Sequence, residues 1–321
     1  MSHQKVKKEQ STLSSIIEFA GLLIIVFLIR TYGFGLYQVP TGSMETTILV
    51  GERFLSDKFT YNFRGPRRGE IIAMNDPEYQ YSDNYFKSLF QRYVWGPQNW
   101  TKRIIGVPGD TIRGAIEDSK PVVYRNGEKL NELYINTYPL ISELSQDQDV
   151  LIKVIEAEVK KLSRQYKLDQ SMINQYVMER LSQEVLAPRS YDSSKPYDQQ
   201  KFYKFDEKRV LHDAQGNPSL ITPGTPLYPG NGKFSPDETR NNWNKSDVFF
   251  VKLGPDEYWG MGDNRLGSKD CRFFGPVKKE QIHGRIIFRL WSIDSNEGWW
   301  IVDLIKNPID YWKRVRWSRC Y

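Results

Sequence analysis

The chain has 321 residues, 39% hydrophobic and 26% charged, enough for one large folded domain or two smaller ones. Its net charge of +6 suits nucleic acid or anionic lipid, and the lack of any zinc-finger, RNP or helix-turn-helix pattern favours lipid. Cys271 and Cys320 are the only cysteines; they exclude a disulfide framework, leave open a single bond between them, and with no Cys/His ligand spacing suggest no metal.

Residues 1–12 are polar and carry Lys5, Lys7 and Lys8. An apolar run follows from Leu13 to Ile29, and as a helix its roughly 17 residues span about 26 Å, short for a bilayer crossing but sufficient. Glu18 lies near its start, where it can snorkel to the interface. The run shows no polar face, which argues against a core helix. Arg30-Thr31-Tyr32-Gly33-Phe34 lacks the small residues of a leader-cleavage site. The expectation is a cytoplasmic N-terminus over 1–12 and a transmembrane anchor over 13–33. Lysines before the run and a single arginine after it place everything beyond on the outer side.

Short strands are predicted at Leu36–Val39, Ile48–Val50, Arg53–Phe59 and Gly69–Met74, punctuated by Gly65-Pro66 and Arg68-Gly69. Residues 76–100 read as a loop dense in Tyr79, Tyr81, Tyr85, Phe86, Phe90, Tyr93, Trp95 and Trp100. Core packing is their ordinary role, and a membrane interface is the second. Thr101–Val107 predicts a strand ended by Pro108-Gly109-Asp110. Val122–Leu130 predicts a hairpin, because Asn126-Gly127 suits a type I′ turn.

From about Ser142 the period changes. Leu151, Ile155, Val159, Leu162 and Tyr166 recur at helical spacing, and Asp169 or Ser171 caps a second helix carrying Ile173, Tyr176, Val177, Leu181 and Val185. A helical hairpin is expected over 149–186, its apolar stripe packed on the domain or on itself. Residues 188–245 are rich in Pro, Gly, Asn and Ser and read as loops, Pro229-Gly-Asn-Gly232 included. Strands resume at Val248–Leu253, Tyr258–Met261, Gly275–Val277 and Gly284–Trp291. The basic, aromatic tail Tyr311–Arg319 is either a solvated end or a contact for anionic lipid.

For chemistry, Val39-Pro40-Thr41-Gly42-Ser43-Met44 places a serine just beyond the anchor. A serine nucleophile needs a base. No Gly-x-Ser-x-Gly elbow is present, and His3, His212 and His283 sit in no supporting motif. A lysine serves if burial disfavours its charged form. Lys102 shares a strand face with Ile104, which would desolvate it; taken by itself, a strand lysine reaching solvent is the plainer reading.

Three stretches together resemble the sequence boxes of type I signal peptidases, membrane-anchored Ser/Lys endopeptidases. They are Val39–Met44, Lys102–Asp110 and Met261–Arg272, with Phe273-Phe274-Gly275-Pro276-Val277 behind the last. The resemblance covers about 13–137 and 247–320. It implies a mainly β, antiparallel catalytic domain over 34–137 and 247–321, and an insertion over 138–246 that is helical at 149–186 and loop-rich at 188–245. It also implies Ser43 as nucleophile and Lys102 as general base. The Thr41 hydroxyl and the Ser43 N–H would form the oxyanion hole, and Ser268 would hydrogen-bond the Lys102 amine. Asp270 and Arg272 would be a supporting charged pair, Asp263 and Arg265 structural, and Met44 packed beside the nucleophile. Glu45-Thr46-Thr47 departs from the family's x-Pro-Thr, losing a rigid turn but no reacting group. Cys271 stands where a small serine is common and reads as a small buried residue.

The implied function is removal of signal peptides after small residues from exported preproteins, at the bacterial cytoplasmic membrane. The implied partners are preprotein signal peptides, the lipid bilayer and the protein-export machinery, with no nucleic acid, cofactor or metal. A peptidase of narrower tasks is a same-chemistry rival. A membrane-anchored scaffold or chaperone that retains the fold, its insertion binding a partner, is the rival of another class.

Overall fold

The computed structural model describes residues 12–167, 169–213, 215–228, 239–293 and 300–319. The lysines of the N-terminus, the Pro229–Gly232 loop and Cys320 lie outside that set. Helix α1 (Thr12–Leu28) runs into a π-helical turn at Ile29–Gly33. Residues Ser14–Gly33 form a 20-residue segment apolar and long enough to cross a membrane, with none of it buried against the rest of the chain.

Beyond it the chain is organised by antiparallel ladders. Alternating and β-branched runs give β1 (Phe34–Gln38), β2 (Arg53–Asp57), β3 (Ile71–Asn75) and β4 (Asn99–Gly106). After β5 (Thr111–Glu117), β6 (Lys120–Arg125) and β7 (Glu128–Lys129) come the short β8 (Leu140–Ile141), β9 (Arg189–Ser190) and β10 (Leu220–Ile221). The set closes with β11 (Phe249–Lys252), β12 (Glu257–Met261), β13 (Val277–Lys278) and β14 (Ile282–Trp291). A seven-stranded sheet has the order β1-β2-β14-β3-β4-β12-β13, a four-stranded sheet β11-β5-β6-β7, and a three-stranded one β10-β8-β9. The β6–β7 hairpin turns on Asn126 (φ 54°) and Gly127 (φ 84°), the two positive φ values a type I′ turn requires.

Chain passage from β4 to β5 and from β11 to β12 joins the two larger sheets over one core. Ile72, Ile104, Ile112, Phe249, Val251 and Trp259 meet there and are almost wholly buried. Trp259 has no exposure, and its ring lies 5.0 Å from that of Phe249.

The segment 138–246 builds smaller cores of its own. Helices α4 (Gln148–Gln165) and α5 (Gln170–Glu184) form the expected hairpin, with Asp169 capping the second by accepting from the Met172 N–H at 2.9 Å. Leu144, Leu151 and Ile155 pack beneath Val177, Leu181 and Val185. The stretch read as loops is more ordered than its composition suggests: it supplies β9 and β10, and Tyr191, Phe205 and Val210 close a cluster with Ile141. Aromatic residues scattered without period gave no signal for that cluster.

Three other expectations are corrected. Ile48–Val50 is a turn, not a strand, because the Glu52 carboxylate accepts the Leu49 N–H at 2.9 Å and Ile48 N–H turns back to the Met44 carbonyl. After the short helix α2 (Phe59–Phe63), residues 76–100 contain helix α3 (Tyr85–Tyr93), started by Asn84, whose side chain accepts from Lys87 N–H at 3.0 Å. Tyr85, Phe86 and Phe90 are more than half exposed, so the core role expected for them is wrong. Finally, the tail is neither merely solvated nor uncommitted. After α6 (Cys271–Phe274), α7 (Trp300–Lys306) and α8 (Asp310–Arg314), Arg314 forks onto buried Asp303 and Arg319 onto buried Glu52.

Trp259→Ala removes the largest buried side chain of the shared core and should lower stability by about 3–5 kcal/mol. Urea unfolding of the detergent-solubilised chain measures this. A change below about 1 kcal/mol would mean that the two sheets do not depend on a common core.

Candidate active site

Ser43 sits in a single 3-10 turn, Gly42–Met44, that follows Pro40 and Thr41. The turn is held from outside by Asn264, whose N–H donates to the Ser43 carbonyl at 3.1 Å and whose side-chain amide donates to the Gly42 carbonyl at 3.1 Å. Met44 anchors it from within: it is fully buried and clusters with Val39, Ile48 and Phe54. Ser43 itself is buried to 8% exposure, and Thr41 before it is exposed.

Lys102 reaches this turn from the middle of β4. Its strand neighbours are Ile72 on β3, directly opposite, and Gly260 on β12, where an added Cβ would stand 3.3 Å from the Lys102 Cβ. Covered on both sides, Lys102 retains 3% exposure. Its Nζ lies 3.2 Å from Ser43 Oγ and donates to the Thr101 carbonyl at 3.1 Å. Burial pulls its pKa down from 10.5 to about 8, against the opposing attraction of Asp270.

The third box braces the lysine from behind. Arg272 and Asp270, both fully buried, form a fork with Nε–Oδ1 and Nη2–Oδ2 distances of 2.8 Å. Arg272 donates onward to Asp247 at 2.7 Å and to the Arg265 carbonyl at 2.5 Å. Burial alone would raise the Asp270 carboxyl, but the Arg272 charge and hydrogen bonds hold it below the usual carboxylate range. Asp263 is forked by Arg103 at 2.9 and 2.6 Å and accepts from the Thr47 hydroxyl at 2.5 Å. Arg265 forks Glu132 at 3.1 and 2.6 Å. Cys271 is a buried thiol that accepts from the Gly260 N–H at 3.1 Å; burial pushes its pKa up, away from nucleophilic use.

One expected contact is not made. Ser268 is buried, yet its hydroxyl has no hydrogen-bond partner and does not bond Lys102. It packs instead over Gly262, where an added Cβ would collide with the hydroxyl and stand 2.5 Å from the Ser43 carbonyl oxygen. The Thr101 carbonyl takes the second place on the amine.

The other candidate base is elsewhere. His283 on β14 bonds Asn75 at 2.5 Å, is pushed down to about 4 by burial, and lines a groove of about 660 Å³ that includes neither Ser43 nor Lys102. Among the described residues no group of His, Cys, Asp and Glu side chains is placed to hold a metal ion.

The family model for signal peptidase, peptidase S26, matches residues 13–291. The chain belongs to the signal peptidase family. It is 25% identical over 311 residues to a signal peptidase I of Buchnera aphidicola subsp. Acyrthosiphon pisum, covering 95% of this chain and 83% of that one. It is 33% identical over 138 residues to a signal peptidase I of Pseudomonas aeruginosa, covering 42% and 45% respectively. The solved signal peptidase I of Enterococcus faecalis aligns with 70% of this chain at 17% identity and a TM-score of 0.26, too loose an overlay to add to the argument.

Around this candidate site, Asn264, Arg103, Glu132 and Asp247 were given no role from sequence. Asn264 lay inside the quoted third box, so that signal was present. Glu45 looked like a harmless departure, yet it is fully buried and paired to Arg189 from the segment 138–246.

Holding Lys102 in an apolar site, its pKa pulled from 10.5 to about 8, costs about 3 kcal/mol at pH 7. The unfolded chain binds the extra proton between those values. The penalty is therefore complete below about 8 and fades as pH climbs towards 10.5. Lys102→Met should raise stability by roughly 1–3 kcal/mol at pH 7, the gain shrinking above pH 8. Denaturant unfolding at several pH values checks this; a Met variant less stable at pH 7 would mean that Asp270 over-compensates the burial.

Proposed function

We propose that this signal-peptidase-family chain is a membrane-anchored serine endopeptidase in which Ser43 is the nucleophile and Lys102 its general base. The observation carrying the reading is the 3.2 Å approach of a desolvated lysine amine to a buried serine hydroxyl. Donation to the Thr101 carbonyl fixes the amine. Once neutral, its lone pair faces Ser43 and accepts the hydroxyl proton as Oγ attacks the scissile carbonyl. The resulting ammonium returns that proton to the leaving amine. Lys102 then deprotonates the water that releases the acyl group.

The Ser43 N–H and the Thr41 hydroxyl serve the developing oxyanion. Thr41 is suited to this because its exposed hydroxyl makes no hydrogen bond among the described residues. Asp270 and Arg272 keep a fixed field behind Lys102. Asp263 and Arg265 secure the turn through Arg103 and Glu132. Ser268 packs over Gly262, beside the turn.

The substrates in this reading are exported preproteins cleaved after a small residue, bound extended along a strand edge. Residues 13–33 anchor the chain in the bacterial cytoplasmic membrane with residues 1–12 cytoplasmic. Residues 34–137 and 247–321 form the outer catalytic domain, and 138–246 is an insertion in it. Anionic lipid and the export machinery are its further partners.

Cleavage of a preprotein by the detergent-solubilised chain, beside Ser43→Ala and Lys102→Ala, tests the reading. Product should form only with the unmodified protein, with each variant down at least about 10³-fold. Its kcat/KM should rise with pH to a plateau through an apparent pKa of about 8, because the neutral amine is the active form. Equal cleavage by Ser43→Ala would refute the mechanism.

A further inference from the structure

We propose that Arg189, delivered by the segment 138–246, is a positioning residue for Ser43 that acts through Glu45. The proposal rests on the assignment of Ser43 as nucleophile.

Glu45 lies two residues beyond Ser43 and has no exposed surface. A carboxylate buried this way needs donors, or its burial opposes folding of the turn that carries it. Among the described residues, the hydrogen-bond donors to its carboxylate come from β9. Arg189 Nε donates to Oε1 at 3.0 Å, with Nη2 also 3.0 Å from that oxygen, and the Ser190 N–H donates to Oε2 at 2.7 Å. The guanidinium is itself fixed, its Cζ lying 4.2 Å from the Tyr203 ring centroid.

The same arginine touches the turn on the other side of Ser43. A Cβ added to Gly42 would stand 2.6 Å from Arg189 Nε and 2.7 Å from Glu45 Oε1. Glycine is therefore what lets the guanidinium lie against the backbone before the nucleophile while its charge is met by the carboxylate after it. Asn264 ties the two segments together a second time, its side-chain amide donating to the Gly42 carbonyl at 3.1 Å and to the Pro188 carbonyl at 3.0 Å. Ser43 thus sits between two residues, Gly42 and Glu45, that both register on β9. β9 in turn is set by pairing with β8 and by Tyr191 in the cluster behind it.

Removing the guanidinium leaves the Glu45 carboxylate buried without its charge partner, and the turn must reopen to hydrate it. That moves Ser43 Oγ relative to Lys102 Nζ without touching either. Misplacement of about 1 Å is enough for a loss near 100-fold.

The experiment compares preprotein cleavage by the full chain with Arg189→Gln, Arg189→Lys and the double variant Glu45→Gln/Arg189→Gln, and with Ser43→Ala as control. Rates are normalised to the folded fraction from near-UV circular dichroism. For Arg189→Gln the expected result is a kcat about 100-fold lower with KM changed by less than about threefold. Arg189→Lys keeps the charge and should fall between it and the unmodified protein. The double variant leaves no buried charge unpaired and should recover about tenfold over Arg189→Gln.

An unchanged kcat, a loss lying wholly in KM, a loss explained by the unfolded fraction, or a double variant no better than the single one would each overturn the proposal. A merely structural Arg189 predicts the third of these. Cleavage by Ser43→Ala at the unmodified rate would instead strike the nucleophile assignment itself, whatever Arg189 does.

Discussion

The arrangement depends on one unfavourable placement: a lysine amine held out of water. Lys102 lies mid-strand between β3 and β12, with almost no exposed surface, and its pKa falls to about 8 as a result. Every stabilising feature nearby is compatible with that fall. Asp270 would recharge the amine if it were free, but Arg272 occupies both its oxygens. The nearest lysine partners are then a carbonyl and a hydroxyl, neither of which carries charge. A direct carboxylate partner would have restored an ordinary lysine pKa and removed the base.

This explains why so many ion pairs surround the site without entering it. Arg103–Asp263, Arg265–Glu132 and Arg272–Asp270 are each buried on at least one partner, and Arg272 extends its pair to Asp247. Such pairs contribute little net stability compared with apolar residues of similar volume. What they contribute here is geometry. Arg103–Asp263 fixes the loop after β12 against β4, the strand that carries Lys102.

Local pattern carried much of this fold. β-branched alternation marked β3, β4 and β14, Asn126-Gly127 marked a hairpin, and a 3.6-residue period with Asp169 marked the helical pair. Ser43 and Lys102 were singled out through the resemblance of three motif boxes standing in a family's order, and by no local pattern of their own. What stayed hidden was decided by contacts between distant residues. α3 replaced an expected loop because an asparagine cap outweighed a stretch of aromatic residues. Ser268 was expected on the amine and lies instead over Gly262. Glu45 carried no signal of its own, since its partner stands 144 positions away.

The nucleophile turn shows why such contacts resist prediction. Residues 41–52 contain little that would fold alone, and three buried carboxylates hold them from three directions. Glu45 faces β9, Asp263 accepts the Thr47 hydroxyl, and Glu52 gathers Ser292, Arg289 and Arg319. Arg289 and Arg319 also donate to the Thr47 carbonyl, at 2.9 and 3.1 Å, so two arginines far along the chain close on the turn that carries Ser43. An apolar clamp would tolerate sliding, because hydrophobic contact is non-directional. Charged forks do not slide without stranding a buried charge. A short turn that must present one oxygen to one amine at 3.2 Å is where that stiffness has most effect.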